Sequence, residues 1–93
     1  SVWRGGDSGE PALLSSCYRR CIALVEERAA ASIAFPSIGT GIYGYPIELA
    51  AEVAVQSVRE SLSKDSSVQE VIFCCFSQED LLHYERILNG PLA

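Results

Sequence analysis

The chain has 93 residues, of which 48% are hydrophobic and 20% charged, and its formal net charge is −5. These values are typical of one small globular domain and not of a disordered segment. The negative charge excludes the broad basic surface that nucleic acid or an anionic membrane would require. No apolar run reaches the length of about 18 residues that a membrane span needs, and no leader pattern is visible. We therefore expect a cytoplasmic protein with no nucleic-acid or membrane partner.

The first predicted element is a helix that starts at Pro11 and ends near Arg28. Proline suits the first turn of a helix, and the carboxylate of Glu10 complements the positive helix end. Apolar residues then recur at i, i+3, i+4 and i+7 spacing. They predict an inward stripe made of Leu14, Cys17, Tyr18, Cys21, Leu24 and Val25.

A short strand is predicted at residues 32–35, where Pro36 stops it. After a glycine-rich loop, Pro46 opens a second helix. Its predicted inner stripe is Ile47, Ala50, Ala51, Ala54, Val58 and Leu62. Its predicted solvated face is Glu48, Glu52, Gln56, Arg59 and Glu60.

Residues 71–76 are continuously apolar, which is typical of a strand covered on both faces. Ser77 and Asp80 then have the spacing of a capping box for a third helix, which stops at Gly90. The residues predicted to face inward from this helix are Leu81, Tyr84, Ile87 and Leu88.

The alternation of helices and strands predicts a parallel α/β fold. Two strands are too few for a stable sheet covered on both faces. The sequence also contains no methionine. We therefore expect residues 1–93 to form one partial domain of a longer protein; the alternative for the missing methionine is processing that exposed Ser1.

The cysteines predict neither a metal site nor a redox motif. Neither Cys17 and Cys21 nor Cys74 and Cys75 have C-x-x-C spacing, and His83 is the only histidine. A zinc site is therefore not expected. The cysteines are interpreted as small buried hydrophobic residues, with a disulfide framework as the alternative.

The segment GTGIYG, residues 39–44, has G-x-G-x-x-G spacing between a predicted strand and a predicted helix. Loops of this kind direct backbone N–H groups at phosphate, although an empty tight turn has the same pattern. A dinucleotide-binding Rossmann motif fits poorly, because Pro46 places Gly44 outside the helix whereas the third glycine of that motif lies inside it. No lysine follows Gly44, so the segment is not a Walker P-loop.

A longer stretch around these glycines resembles the second phosphate loop of a macrodomain, the ADP-ribose-binding module. The similar segments are FPSIGTGIYGYP (35–46), VWRGG (2–6), Cys17-Tyr18 with Leu24, Ala50-Ala51-Glu52, and the final strand and helix. The chain looks closest to the MacroD-like branch, which includes O-acetyl-ADP-ribose deacetylases and hydrolases of ADP-ribosylated carboxylate side chains. The resemblance implies a three-layer α/β/α fold with a mostly parallel central sheet, of which this chain holds the later strands and helices.

The resemblance also implies roles for individual residues. Main-chain N–H groups would bind the diphosphate and the distal ribose from a segment made of Ser37, Ile38, Gly39, Thr40, Gly41, Ile42 and Tyr43. Tyr43 would pack its ring on the distal ribose and position the scissile group. Phe76 would lie near the adenine, with Ser77 beside it. Many relatives have serine at the position of Gly39, and the amide donor is retained here.

The implied ligands are ADP-ribose or O-acetyl-ADP-ribose, with ADP-ribosylated proteins as further partners, and no cofactor or metal is implied. The family's first loop, an Asn-Ala-Ala-Asn segment with a glycine run and an acidic residue, has no counterpart in the chain. That loop supplies the groups that position and activate water. The sequence therefore leaves open a hydrolase of ADP-ribose esters and a module that reads ADP-ribose without turnover. The chain alone is expected to be inactive.

Overall fold

The computed structural model describes residue 5 and residues 9–38 and 44–90. These residues form three helices and two strands in alternation. The elements are α1 (Glu10–Glu27), β1 (Ser32–Phe35), α2 (Ile47–Ser61), β2 (Glu70–Phe73) and α3 (Gln78–Asn89). The order and approximate positions of all five were predicted from the sequence. In the part of the chain that is described, no helix is both long enough and apolar enough to cross a membrane.

The two strands pair in parallel, with Ser32 opposite Glu70 and Phe35 opposite Phe73. Beyond this register, the Cys74 N–H donates to the Phe35 carbonyl over 2.8 Å. The strand predicted at 71–76 therefore ends three residues early. Its partner β1 stops at Phe35 because Pro36 follows, so no further ladder partner is available.

One face of this two-stranded sheet is covered and the other is open. Phe35 is buried, and Ile33, Val71 and Phe73 pack against the same core cluster. Ile72 points the other way and its side chain is 46% exposed. The prediction that the second strand is covered on both faces is thus wrong for the described residues, because all three helices contribute to the one cluster.

The inward stripe of α1 differs from the predicted one. Leu14, Tyr18 and Ile22 are fully buried, at i, i+4 and i+8. Cys17 and Leu24, which were predicted to face inward, are exposed. The apolar residues of α1 cover more than one stripe, so periodicity alone does not fix which one meets the core. Packing against the small residues of α2 selects the stripe centred on Tyr18.

Helix α2 presents a face of small residues to the core. Ala50, Ala51 and Ala54 are buried, which lets neighbouring backbones approach closely. Ser57 is also buried, and its hydroxyl donates to Ser15 of α1 over 2.7 Å. The predicted solvated face is confirmed, with each member exposed: Glu48, Glu52, Gln56, Arg59 and Glu60.

Helix α3 begins at the predicted cap. The Asp80 N–H donates to the Ser77 hydroxyl over 3.1 Å. Of the residues predicted to face inward, Tyr84 is buried and Ile87 packs on the core. Leu81 and Leu88 remain 38% and 44% exposed.

The four cysteines are free thiols. Cys21 and Cys75 are half-buried, whereas Cys17 and Cys74 are exposed. The interpretation of all four as buried hydrophobic residues is therefore wrong for Cys17 and Cys74. Cys17 lies off the buried stripe of α1, and Cys74 lies beyond the end of β2.

Candidate functional site

The candidate site lies where the carboxyl ends of β1 and β2 meet. In parallel α/β sheets, ligands bind at this edge because the loops that leave the strands converge there. Residues 36–38 follow β1 and lead into the glycine loop, while residues 74–77 follow β2 and lead into α3. The segment from Pro36 to Ile38 and the segment from Cys74 to Ser77 are thus neighbours in space although distant in sequence.

Two hydrogen bonds join these segments. The Ser37 hydroxyl donates to the Cys74 carbonyl over 3.0 Å. The Cys74 N–H donates to the Phe35 carbonyl over 2.8 Å. Together they fix the backbone on both sides of Pro36 against the segment after β2. Ser37 was predicted to contribute to phosphate binding, and its hydroxyl is already engaged in a structural contact.

The other described members of the predicted site are differently placed. Ile38 is half-buried and packs on the core cluster. The ring of Phe76 is 77% exposed and available to a ligand. The Ser77 hydroxyl accepts a hydrogen bond from Asp80 and so caps α3. The remaining predicted members, Gly39, Thr40, Gly41, Ile42 and Tyr43, lie outside the described residues.

The far side of the glycine loop is defined by Gly44, Tyr45 and Pro46. Gly44 has φ +75°, a left-handed conformation that glycine adopts without strain. Pro46 is the N-cap of α2, which begins at Ile47. Gly44 therefore lies outside the helix, as the position of Pro46 in the sequence predicts. Tyr45 is buried, and its hydroxyl donates to the Glu10 carbonyl over 3.2 Å.

An aromatic cluster lies beneath this edge of the sheet. Tyr18 of α1 meets Phe35 edge-on, with ring centroids 5.0 Å apart. Phe35 stacks on Phe73 at 6.0 Å, and Phe73 contacts Tyr84 of α3 at 5.2 Å. The cluster links α1, both strands and α3. It thereby supports the residues that lead into the glycine loop.

Burial shifts the proton affinity of groups in and near this cluster. Desolvation raises the pKa of Tyr18 to about 12. Desolvation also raises the pKa of Tyr84, and the neighbouring Tyr18 adds to that effect. Burial likewise raises the pKa of the Cys75 thiol. These groups are therefore neutral at physiological pH. The sequence predicted Tyr18 and Tyr84 as inward-facing residues of α1 and α3, which their burial confirms, but it assigned neither of them a role in the site.

Comparison with known proteins identifies the family. A family model described as Macro domain matches residues 1–54, more than half of the chain. The chain belongs to the macro domain family. A macro domain-containing protein of Chlorobaculum tepidum is 53% identical over 87 residues, which cover 94% of this chain and 51% of that protein. The O-acetyl-ADP-ribose deacetylase of Escherichia coli K12 is 42% identical over 88 residues, which cover 95% of this chain and 50% of the relative.

Solved structures give the same assignment. The Oceanobacillus iheyensis macrodomain with ADP aligns at a TM-score of 0.80 and 36% identity, covering 94% of this chain and 45% of the other. The Trypanosoma brucei macrodomain in complex with ADP-ribose aligns at a TM-score of 0.80 and 30% sequence identity. That alignment covers 86% of this chain and 35% of the other. The predicted macrodomain-like α/β fold is thus confirmed. The macro domain chain spans about half the length of the curated relatives it matches.

Proposed function

We propose that this macro domain chain binds ADP-ribose and contributes the diphosphate-binding side of a hydrolase of ADP-ribose esters, acting on O-acetyl-ADP-ribose or on ADP-ribosylated carboxylates. The observation that carries the proposal is the edge of the sheet at which Ser37 and Cys74 are bonded together and the ring of Phe76 stands exposed. Relatives named O-acetyl-ADP-ribose deacetylase are 42–45% identical over 95% of the chain, which supports the choice of ester.

The assignment of roles follows the resemblance. Residues 37–43 bind the diphosphate and the distal ribose through main-chain N–H groups, and the Tyr43 ring packs on that ribose. Phe76 contacts the adenine, with Ser77 beside it. Contacts to these remote groups hold the ester in place, and their binding energy contributes to catalysis by positioning the ester near a water molecule. The groups that activate this water are expected outside the 93 residues.

Binding is tested by titrating ADP-ribose into the natural full-length protein that carries these residues and measuring the heat released. Acetate release from O-acetyl-ADP-ribose tests turnover. We expect binding and turnover by the full-length protein, and no turnover by the 93-residue chain alone. Absence of ADP-ribose binding by the full-length protein would refute the proposal. Binding without turnover would instead identify a reader of ADP-ribose.

The variant Phe76→Ala examines the adenine contact. Stacking of a base on an aromatic ring contributes about 1–3 kcal/mol, so the affinity for ADP-ribose should fall by about 5- to 150-fold. The ring is 77% exposed, and its removal should therefore leave the stability of the fold nearly unchanged.

Leu24→Ala is the matched control. Leu24 is an apolar side chain that is 49% exposed, and it lies in the last turns of α1. That end of α1 precedes β1 and is therefore at the opposite edge of the sheet from the candidate site. The affinity of the Leu24→Ala variant for ADP-ribose should equal that of the unmodified protein. Equal affinities for Phe76→Ala and Leu24→Ala would remove Phe76 from the site.

A further inference from the structure

A groove runs between α1 and α2 on the outer side of the helix layer. It has a volume of about 280 Å³, and both helices contribute to its lining. Its apolar floor includes Pro11, Leu49 and Val53, which are half-buried. The polar residues along its rim include Ser15, Glu52, Gln56 and Glu60. The open face of the sheet, marked by Ile72, lies on the other side of the strands, so the groove is a separate surface.

One end of this α1–α2 groove adjoins the candidate site. Both helices begin at the same edge of the sheet, since α1 leads into the amino end of β1 and α2 follows its carboxyl end. The Tyr45 hydroxyl donates to the Glu10 carbonyl over 3.2 Å, which joins the chain leaving the glycine loop to the start of α1. Pro11 follows Glu10 directly, and Leu49 lies in the first turn of α2. The groove therefore starts beside the glycine loop and leads away from it.

The far end of the groove is engaged in contacts within the chain. The Arg19 guanidinium donates to one carboxylate oxygen of Glu60 over 2.8 Å, and the Gln56 amide donates to the other over 3.2 Å. The Nε of Arg19 also donates to the Ser15 hydroxyl over 3.2 Å. The carboxylate of Glu60 is thus already paired, and Arg19 is held at this end of the groove.

Glu52 is the carboxylate that remains available. Its side chain is exposed, and it makes no hydrogen bond or ion pair with any residue in the described ranges. Gln56 lies one helical turn further along the same face of α2. Because the Gln56 amide donates to Glu60, its carbonyl oxygen is left as an acceptor. The near half of the groove therefore presents acceptors above an apolar floor, and no lysine or arginine is among the described residues that line it.

This arrangement matches the chemistry of a lysine side chain. The methylene stem of lysine covers apolar surface while its ammonium group stays at a polar edge. The ammonium group has three donors and no acceptor, so it complements a carboxylate and a carbonyl oxygen. An anionic group is disfavoured here, both by Glu52 and by the net charge of −5. The groove is therefore complementary in charge to a basic segment of another protein.

We propose that the α1–α2 groove binds a lysine side chain of an ADP-ribosylated protein. The ammonium group contacts Glu52 and Gln56, and the stem lies on Leu49 and Val53. This inference rests on the proposed function, because ADP-ribose held in the neighbouring site brings the modified protein to the groove. A tethered second contact acts at a high effective concentration, so even a weak ion pair adds to the affinity. The groove thus selects among ADP-ribosylated proteins, and free ADP-ribose does not use it.

The test uses synthetic peptides that carry ADP-ribose on a glutamine amide, so that the ligand is not an ester. Each peptide has one lysine, placed two to five residues from the modified side chain, and its matched peptide has norleucine there. Calorimetry with the natural full-length protein gives both affinities. Exposed ion pairs are weak, so the best lysine peptide should bind about 2- to 5-fold more tightly than its norleucine partner. Equal affinities at every position would overturn the inference.

Two variants assign the preference for lysine to the groove. Glu52→Gln removes the charge and keeps the size of the side chain. It should abolish the preference and leave the affinity for free ADP-ribose unchanged. Glu85→Gln is the matched control, because Glu85 is an exposed carboxylate on α3 outside the lining of the groove. This variant should keep the preference. A preference that survives in Glu52→Gln would contradict the inference, and so would one that is lost equally in both variants, since that result reflects net charge.

A second measurement separates this inference from the proposed function. The backbone amide signals of Ser15, Glu52 and Gln56 are followed by NMR while the same peptides, without ADP-ribose, are added at high concentration. The lysine peptide should shift these signals, and the norleucine peptide should not. Such shifts in a protein that does not bind ADP-ribose would uphold the groove and refute the proposed function. Binding of ADP-ribose without shifts and without a lysine preference would do the reverse, and absence of both would refute both.

Discussion

Gly44 allows the cost of a backbone conformation to be measured apart from the cost of a steric clash. The residue has φ +75°, and a Cβ placed on it would meet no atom of the described residues within 4 Å. Against these residues a substitution to alanine creates no collision, so we expect it to act through the dihedral angle. The next residue, Tyr45, is buried and its hydroxyl bonds to the Glu10 carbonyl. The glycine thus sets the direction in which the chain enters the core before α2.

The expected magnitude follows from two opposing effects. A left-handed conformation costs an L-residue about 1–2 kcal/mol. Alanine also restricts the unfolded chain, which returns about 0.4–1 kcal/mol. The net loss for Gly44→Ala is therefore about 1 kcal/mol. With a urea dependence of about 1–3 kcal/mol per molar, the midpoint of unfolding should fall by roughly 0.3–1 M.

Urea denaturation of the natural full-length protein, followed by circular dichroism, measures this change. Gly44→Asn is the matched control, because asparagine adopts positive φ more readily than alanine does. It should lose clearly less stability than Gly44→Ala. Equal losses for the two variants would show that φ does not set the cost. A loss above about 3 kcal/mol for alanine would contradict the open space around the site.

Two further predictions concern titratable groups outside the glycine loop itself. Cys74 is exposed, whereas burial raises the pKa of Cys75. Iodoacetamide should therefore modify Cys74 faster than Cys75 at pH 8. Equal rates of modification, measured by tandem mass spectrometry, would contradict this. The hydroxyl of Ser66, followed by the N–H of Ser63, lowers the pKa of Glu26 from its usual 4.5. A lowered pKa in the folded state adds stability above pH 4.5, and this stability is lost as the pH falls through the folded-state pKa. Glu26→Gln should therefore reduce the dependence on acid pH of the free energy of unfolding, measured with urea. An unchanged dependence would show that Glu26 contributes nothing to it.

Local signals in the sequence were sufficient to predict the helices and strands but not how these elements pack together. Strand β1 was predicted with its observed bounds because Pro36 ends it unambiguously. The cap at Ser77 was predicted from its spacing to Asp80 and is confirmed. Strand β2 was predicted too long, since its apolar run continues past the point where its partner stops. The hydrogen-bonded pairing of two strands ends where the shorter strand ends. The residues of the longer strand do not reveal where that is.

The same limit explains the first helix. Leu24 is as apolar as Ile22, yet only Ile22 is buried. The choice depends on where α2 approaches, and this is a property of the assembled fold. The bond from Ser37 to Cys74 and the edge-on contact of Tyr18 with Phe35 are likewise long-range relations. Resemblance to a family placed Ser37 at the ligand, but it did not show what holds Ser37 in place.

The charge of the chain gives these supporting contacts their importance. A diphosphate carries negative charge, and the chain has a net charge of −5. Overall electrostatic repulsion therefore opposes binding, and local backbone N–H groups must supply the favourable contacts. Such donors act only if their orientation is fixed before the ligand arrives, because ordering a loop on binding costs free energy. Affinity in this half of the site should accordingly depend less on charged side chains than on the buried groups, Tyr18 and Phe35, that support the backbone leading into the loop.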